Sequence, residues 1–287
     1  MTKFARRPAV LVGLIGQDIQ GSRSPELHMR EGEAQDLRLI YRLIDLTHLG
    51  VGPDALSELL TAAERMGFTG LNITHPCKQL VIAHLDELSD DARALGAVNT
   101  VLFKDGKRIG HNTDWSGFAE PFRRKMADVA RDRVVQIGAG GAGAAVAHAA
   151  MVLGVKQLTI IDIDPERAQR VADNLSRHFG PGRARIGLDV AAAVADADGI
   201  INATPIGMDG HPGMPLPAQL LRPELWVAEV IYFPLETELL RRARALGCRT
   251  IDGGGMAVFQ AVAAFRLFTG LEPDSDRMIA HFTSMGA

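Results

Sequence analysis

Along the chain, short runs of apolar, β-branched residues alternate with longer stretches in which apolar positions recur every three or four residues. The first pattern predicts buried strands and the second amphipathic helices. The predicted strands are AVLVGLIG, LRLIYRLI, TGLNIT, AVNTVLF, RVVQIG, QLTIIDI, ADGIINAT and LWVAEVIY, with a further short one in RIGHNTDWSGF. Helical periodicity falls at about 53–66, 115–130, 141–153, 165–179, 236–246 and 256–268. Strands alternating with helices build parallel βαβ units, so the expected fold class is α/β.

The texture of the chain changes near residue 120. The segment SGFAEPFRRKMADVARDR reads as a charged amphipathic helix joining two halves, and VVQIGAGGAGAAVAHAA then opens a second, glycine-rich βαβ unit. Residues 120–255 are therefore expected to form a Rossmann dinucleotide-binding domain. Residues 1–119, rejoined by closing helices at 256–287, are expected to form an N-terminal α/β substrate domain with a parallel-type sheet. A cleft between two such domains is where ligand sites concentrate. A chain of 287 residues, 47% of them hydrophobic, is sufficient for two cores.

Charge narrows the partners. A formal net charge of −3, with acids and arginines interspersed, gives no electrostatic footprint for nucleic acid or an anionic membrane. No apolar run has the length of a membrane span, and the basic start MTKFARRPAV leads into an apolar stretch too short for a signal sequence and without a cleavage site. A cytoplasmic protein, monomeric or homodimeric, is expected. Cys77 and Cys248 lie far apart and form no C-x-x-C pair, so they read as free thiols of a reducing compartment. His28 and His111 lack metal-ligand spacing and read as structural; no metal is expected.

The glycine-rich segment carries the first chemical signal. Gly138, Gly140 and Gly143, with Ala139, Gly141 and Ala142 between them, fit G-x-G-x-x-G after a strand and at the opening of a helix. Such a loop brings backbone N–H groups and the positive end of the helix dipole to a pyrophosphate. The next predicted strand ends in Asp162, 24 residues beyond Gly138, where an acid meets the adenosine ribose diol. A carboxylate about 5 Å from a 2′-phosphate costs roughly 3 kcal/mol per unit charge at an effective dielectric near 20. Even half of that gives about tenfold discrimination for NAD over NADP. Arg167 could favour phosphate, yet beside Glu166 it reads as a surface ion pair. The expected cofactor is NAD, preferred over NADP.

The second signal is GLNITHPCKQL. Proline at 76 breaks the strand and starts a helix, which puts Lys78 one short turn beyond a strand end, where open α/β sheets build their sites. RIGHNTDWSGF has the same character: a short strand, an Asn-Thr-Asp turn, then a helix capped near Asp114. Taken singly, Lys78 could be a solvated first-turn lysine and Asp114 a helix cap. Joined to a nicotinamide-binding half they acquire a purpose, because oxidising a secondary alcohol needs a base for the hydroxyl proton.

With these residues assembled, the chain resembles the shikimate dehydrogenase family, including its quinate/shikimate dehydrogenases, over nearly its whole length. The marks are SRSPELH, NITHPCK, GAVNT, GHNTD, GAGGAG, NATPIGM, VIYFPLET and GGGMAVFQA, all in family order. The resemblance implies a two-domain enzyme that oxidises the C3 hydroxyl of shikimate, or reduces 3-dehydroshikimate, with NAD(P). It implies that Lys78 and Asp114 form the proton-transfer dyad. Ser22 and Ser24 would hold the substrate carboxylate, and Thr74, Asn99 and Gln260 the ring hydroxyls, with Tyr232 near the substrate. Asn202, Ala203, Thr204 and Pro205 of NATPIGM, with Gly255, would line the nicotinamide pocket.

Several positions depart from the family pattern. DID stands where NADP enzymes carry Asn-Arg-Ser/Thr, which removes the phosphate-clamping arginine and agrees with the charge reasoning. Met29 replaces an asparagine, Glu229 replaces an aspartate before the Y-x-P turn, and GQDIQGS lacks a common proline. Shikimate therefore leads as substrate, with quinate or an aminoshikimate as alternatives. A non-catalytic sensor of a cyclic hydroxy acid is the reading from another class. An intact Lys78/Asp114 pair beside an intact glycine loop speaks against it, since a sensor need not keep both. A folate-type dehydrogenase would lack the carboxylate-binding serines.

Overall fold

The computed structural model describes residues 9–286, so the basic start of the chain lies outside the described residues. The chain divides into two compact units: one runs to Thr113 and takes in Ala261–Met285, and the other is Asp114–Gln260.

The first unit comprises β1 (Ala9–Gly16), α1 (Ser24–Ala34), β2 (Arg38–Asp45), α2 (Leu46–Leu49), α3 (Leu56–Arg65), β3 (Gly70–Ile73), α4 (Cys77–Leu80), β4 (Glu87–Leu88), α5 (Asp90–Leu95), β5 (Thr100–Lys104) and β6 (Lys107–His111). Its six strands lie in the order β2-β1-β3-β5-β6-β4. β1 pairs in parallel with both β2 and β3, as expected, but β5 runs antiparallel to β3 and to β6. The sheet is thus mixed rather than wholly parallel. The cause is local: Asp105 and Gly106 both take positive φ, 53° and 72°, and turn β5 directly into β6. Asp-Gly is the sequence that tolerates such a two-residue hairpin turn.

The second unit continues with α6 (Asp114–Lys125), β7 (Arg133–Ile137), α7 (Gly141–Val152), β8 (Gln157–Ile161), α8 (Pro165–Phe179), β9 (Ala184–Ile186), α9 (Val190–Ala195), β10 (Gly199–Asn202), β11 (Trp226–Glu229), α10 (Glu238–Ala245) and β12 (Arg249–Ile251). α11 (Gly254–Thr269) and α12 (Ser275–Ser284) close the chain. The second sheet has the order β12-β11-β10-β7-β8-β9, with every pair parallel. This is the doubly wound arrangement, and its chain order reverses between β7 and β10, where such sheets bind ligands.

The division points differ from 119/120 and 255/256. The first falls at Thr113/Asp114 because the apolar face of α6, Phe118, Ala119 and Phe122, is buried in the core that also holds Val134, Val146 and Leu158. The second falls inside α11, between Gln260 and Ala261. Beyond it, Ala264, Phe265 and Phe268 pack with Val12, Leu14 and Tyr41 against the first sheet. α6 also ends earlier than the expected 130. Arg249, at the start of β12, donates to the Lys125 carbonyl and pairs with Asp128, so a tertiary contact caps the helix.

The terminal helix is tied to α1 by an ion pair between a buried acid and a half-buried arginine. Glu31, with none of its side chain exposed, accepts from Arg277 Nε at 2.8 Å and Nη2 at 2.7 Å, and also from the Asp274 backbone N–H at 2.9 Å.

Candidate active site

In the first unit the expected substrate residues gather at the carboxyl ends of β1, β3 and the neighbouring strands. Gly16 ends β1 so close to Thr74 that a Cβ there would sit 2.3 Å from its Cγ2. Thr74 donates its N–H to the Ile15 carbonyl at 2.9 Å and accepts from Cys77 N at 2.8 Å, which starts α4. Lys78 follows, half-buried, and its carbonyl accepts the Val98 N–H at 2.8 Å. Asn99 lies between β3 and β6, accepting from Ile73 N at 2.8 Å and donating to the His111 carbonyl at 3.1 Å. Thr74, Lys78 and Asn99 are thereby held by one set of backbone bonds.

Ser22 and Ser24 stand at the entry to α1, where the Ser22 hydroxyl accepts the Ser24 N–H at 3.3 Å. The loop before them is fixed by Asp45, at the end of β2, which accepts from the N–H groups of Asp18 and Ile19, both at 3.1 Å, and from Gln20 Nε2 at 2.9 Å. Behind the serines runs a polar chain that sequence reading missed. Ser24 is hydrogen-bonded to Tyr41, and burial pushes the Tyr41 phenol up so that it stays protonated. Tyr41 donates to Asn72 Oδ1 at 2.8 Å, and Asn72 Nδ2 donates to Thr100 Oγ1 at 3.0 Å. Thr100 in turn donates to Asn99 Oδ1 at 3.0 Å, and the same oxygen accepts Thr113 N at 2.8 Å. Two of the expected substrate ligands, Ser24 and Asn99, are the ends of this buried chain. The available signal was a polar residue inside each apolar strand, Tyr41 in LRLIYRLI and Asn72 in TGLNIT.

The second unit holds the rest. Gly138 has φ of 103°, and a Cβ there would lie 2.5 Å from the Ala203 carbonyl oxygen. A Cβ on Gly143 would lie 2.5 Å from the Gly138 carbonyl oxygen. Only glycine fits either place. Around Gly140 and Gly141 there is open space, so backbone N–H groups at the start of α7 are accessible to a pyrophosphate. The loop is braced from below by Gln136, fully buried in β7, whose Nε2 donates to the Gly138 and Gly143 carbonyls, both at 2.8 Å. Asp162 accepts the Ala139 N–H at 2.6 Å and the Asp164 N–H at 2.9 Å. Arg167 pairs with the largely buried Asp162 at 3.7 Å and with Asp164 at 3.5 Å, whereas Glu166, the neighbour expected to form a surface pair with it, pairs with Arg170 at 3.8 Å. These residues fit a dinucleotide.

On the far side of the switch point, Asn202 is fully buried and its amide is occupied within the chain. Its Oδ1 accepts from Thr204 N and Oγ1 at 3.0 and 2.7 Å, and its Nδ2 donates to the Ile206 carbonyl at 3.1 Å and to Glu229. The Asn202 side chain therefore shapes the loop, leaving Ala203, Thr204 and the exposed Pro205 as its accessible part. Glu229 is buried, and burial pushes its carboxyl up to about 7 against the pull of its hydrogen bonds. Tyr232 is half-exposed. Gly255 lies against α6, where a Cβ would meet Pro121 at 2.8 Å. Gln260 donates to the Ala257 carbonyl at 3.2 Å within α11. Asp114, the first residue of α6, is buried and follows directly on Thr113. By the division above, Asp114, Tyr232 and Gln260 belong to the second unit, and the serines, Thr74, Lys78 and Asn99 to the first.

Among the described residues no cluster of three or more His, Cys, Asp or Glu side chains could hold a metal ion, and no helix is long and apolar enough to cross a membrane. Cys77 and Cys248 are free and buried.

Residues 14–101 match the shikimate dehydrogenase substrate binding domain, and residues 253–281 match the shikimate 5'-dehydrogenase C-terminal domain. The chain is 62% identical over 277 residues to a protein of Streptomyces avermitilis named shikimate dehydrogenase (NADP(+)), covering 96% of this chain and 95% of that one. It is 51% identical over 281 residues to the quinate/shikimate dehydrogenase (NAD(+)) of Corynebacterium efficiens, covering 96% and 99%. Among solved structures it is similar to the quinate dehydrogenase of Corynebacterium glutamicum in complex with NAD, with a TM-score of 0.93, 47% identity and coverage of 97% and 100%. The chain belongs to the shikimate dehydrogenase family.

Proposed function

We propose that this protein catalyses reversible, NAD-dependent oxidation of the C3 hydroxyl of shikimate to 3-dehydroshikimate. The observation that carries the reading is the set of backbone bonds that holds Thr74, Lys78 and Asn99 together at the strand ends, next to a serine pair set in a braced loop. Ser22 and Ser24 take the substrate carboxylate, and Thr74 and Asn99 the ring hydroxyls, with Gln260 and Tyr232 contributing from the second unit. Lys78 takes the proton of the reacting hydroxyl as the bond to hydrogen breaks, and Asp114 is its acid partner. The bound nicotinamide supplies the hydride acceptor in this direction and the hydride donor in the other. Gly138–Gly143 cradle its pyrophosphate and Asp162 its adenosine ribose.

NAD is preferred because a carboxylate at Asp162 beside the adenosine ribose would oppose a 2′-phosphate, and Arg167 is paired to Asp162 and Asp164. The NAD named for the Corynebacterium relatives supports this assignment, while the NADP named for the Streptomyces relative makes the cofactor the first point to test. Quinate is the second reading for the substrate, favoured by the names of those same Corynebacterium relatives. Purified protein incubated with NAD or NADP and each of shikimate, quinate and an aminoshikimate decides both questions. Reduced cofactor is expected fastest with NAD and shikimate, and lost in Lys78→Ala. Tight binding of the acid without turnover on either cofactor would instead identify a sensor.

A further inference from the structure

Glu229 ends β11 directly beside Asn202 at the end of β10, the two being register partners in the parallel pair. Its carboxylate is 1% exposed and is met only by donors. Asn202 Nδ2 approaches Oε1 at 3.0 Å and Oε2 at 3.1 Å. The backbone N–H groups of Val230 and Ile231 donate to Oε1 at 3.0 and 3.2 Å, and Thr237 Oγ1 donates to Oε2 at 3.0 Å. The orientation of the Asn202 amide is not in question, because its other atom accepts a backbone N–H from Thr204. Thr237 also caps α10 by accepting the Leu240 N–H. One buried carboxylate thus ties together the segment after β10, the segment after β11 and the start of a helix.

Four donor groups making five contacts on two oxygens suit the acceptor-only face of a carboxylate. A neutral amide of the same size would turn an NH2 group toward donors and leave at least one of them unsatisfied. The desolvation cost of a carboxylate kept dry beneath two loops is offset only by donors, and here the two loops supply them, so losing their conformation would expose that cost. The loops in question carry Ala203, Thr204 and Pro205, which the family resemblance puts at the nicotinamide end of the cofactor, and Tyr232, which the proposed function puts at the substrate. The glycine loop and Asp162, which take the other end, have no bond to Glu229 among those it makes.

We propose that Glu229 is a positioning residue for the nicotinamide half of the cofactor, shaping the segments after β10 and β11 without touching the ligand. The inference rests on the dinucleotide reading of the second unit, and its test separates the two. Titration of wild type and Glu229→Gln with NADH, which carries the nicotinamide, and with ADP-ribose, which lacks it, isolates the half that Glu229 serves. The expected result is a loss of about tenfold or more in NADH affinity, with ADP-ribose affinity changed less than about twofold. If Glu229→Gln is not recovered folded, Glu229→Asp keeps the charge on a shorter arm and should show the same selectivity with a smaller loss, about threefold. Equal weakening of both ligands, or no change in either, would overturn the positioning role while leaving dinucleotide binding intact. Failure of wild type to bind either ligand would overturn the dinucleotide reading as well.

Discussion

The Asp162 carboxylate accepts the backbone N–H of Ala139 at 2.6 Å. The acid that sequence spacing assigns to the ribose therefore also pins the glycine loop, and its second oxygen is held by Asp164 N at 2.9 Å. Each oxygen keeps a lone pair for a ribose hydroxyl, while the charge repels a 2′-phosphate. Rates with saturating shikimate should favour NAD over NADP by about tenfold in kcat/KM. Asp162→Asn removes the charge but keeps an oxygen for Ala139, so the preference should shrink toward parity. An unchanged ratio would show that discrimination lies elsewhere.

Gln136 bridges the Gly138 and Gly143 carbonyls from beneath the loop. Gln136→Leu would leave both carbonyls buried without that donor, at a cost of about 1–3 kcal/mol each if nothing replaces it. Dinucleotide affinity should fall by about tenfold, since the bracing sets the spacing of the phosphate-facing turn. Isothermal titration with ADP-ribose measures this directly.

His28 is fully buried among Tyr41, Phe265 and Phe268, and neither ring nitrogen has a hydrogen-bond partner among the described residues. Burial pushes its pKa down to about 3 from the ordinary 6.5. Between those values the unfolded chain binds a proton that the folded chain refuses, so stability is intact above pH 6.5 and lost as pH falls toward 3. By pH 5 the loss is about 2 kcal/mol. Denaturant midpoints measured at pH 7.5 and at pH 5 should converge in His28→Phe relative to wild type. Equal losses in the two proteins would contradict the assignment.

The Glu31–Arg277 pair closes the first unit by joining α1 to the last helix. Arg277→Met leaves a fully buried carboxylate without its counter-charge and should destabilise by about 3–5 kcal/mol. Turnover per folded molecule should stay unchanged at low temperature, because neither residue belongs to the candidate site.

Much of this molecule was legible in its sequence, for identifiable reasons. Helix α7 and the loop before it follow from glycines that no other residue could replace, as at Gly138 and Gly143. The place of Lys78 in the fold was legible because a proline after an apolar strand forces a turn, and α4 starts there. What escaped was set by partners distant in the chain. The antiparallel turn at Asp105–Gly106 was a local signal passed over, but the end of α6 depends on Arg249, more than a hundred positions away. Tyr41, Asn72 and Gln136 went unread in the sequence, and Glu229 stood out only as a departure from the family pattern. Their meaning came only from the donors and acceptors that neighbouring strands bring to them. The same holds for Asn202, whose motif pointed to cofactor contact while its amide is occupied in shaping the loop.

The most direct test of the account is a paired measurement on Lys78→Met: shikimate oxidation with NAD, alongside NADH affinity. Loss of Lys78 should lower kcat by about 10²- to 10⁴-fold while NADH binds within about twofold of wild type. Turnover close to wild type in Lys78→Met would contradict the assignment of this amine as the group that moves the proton.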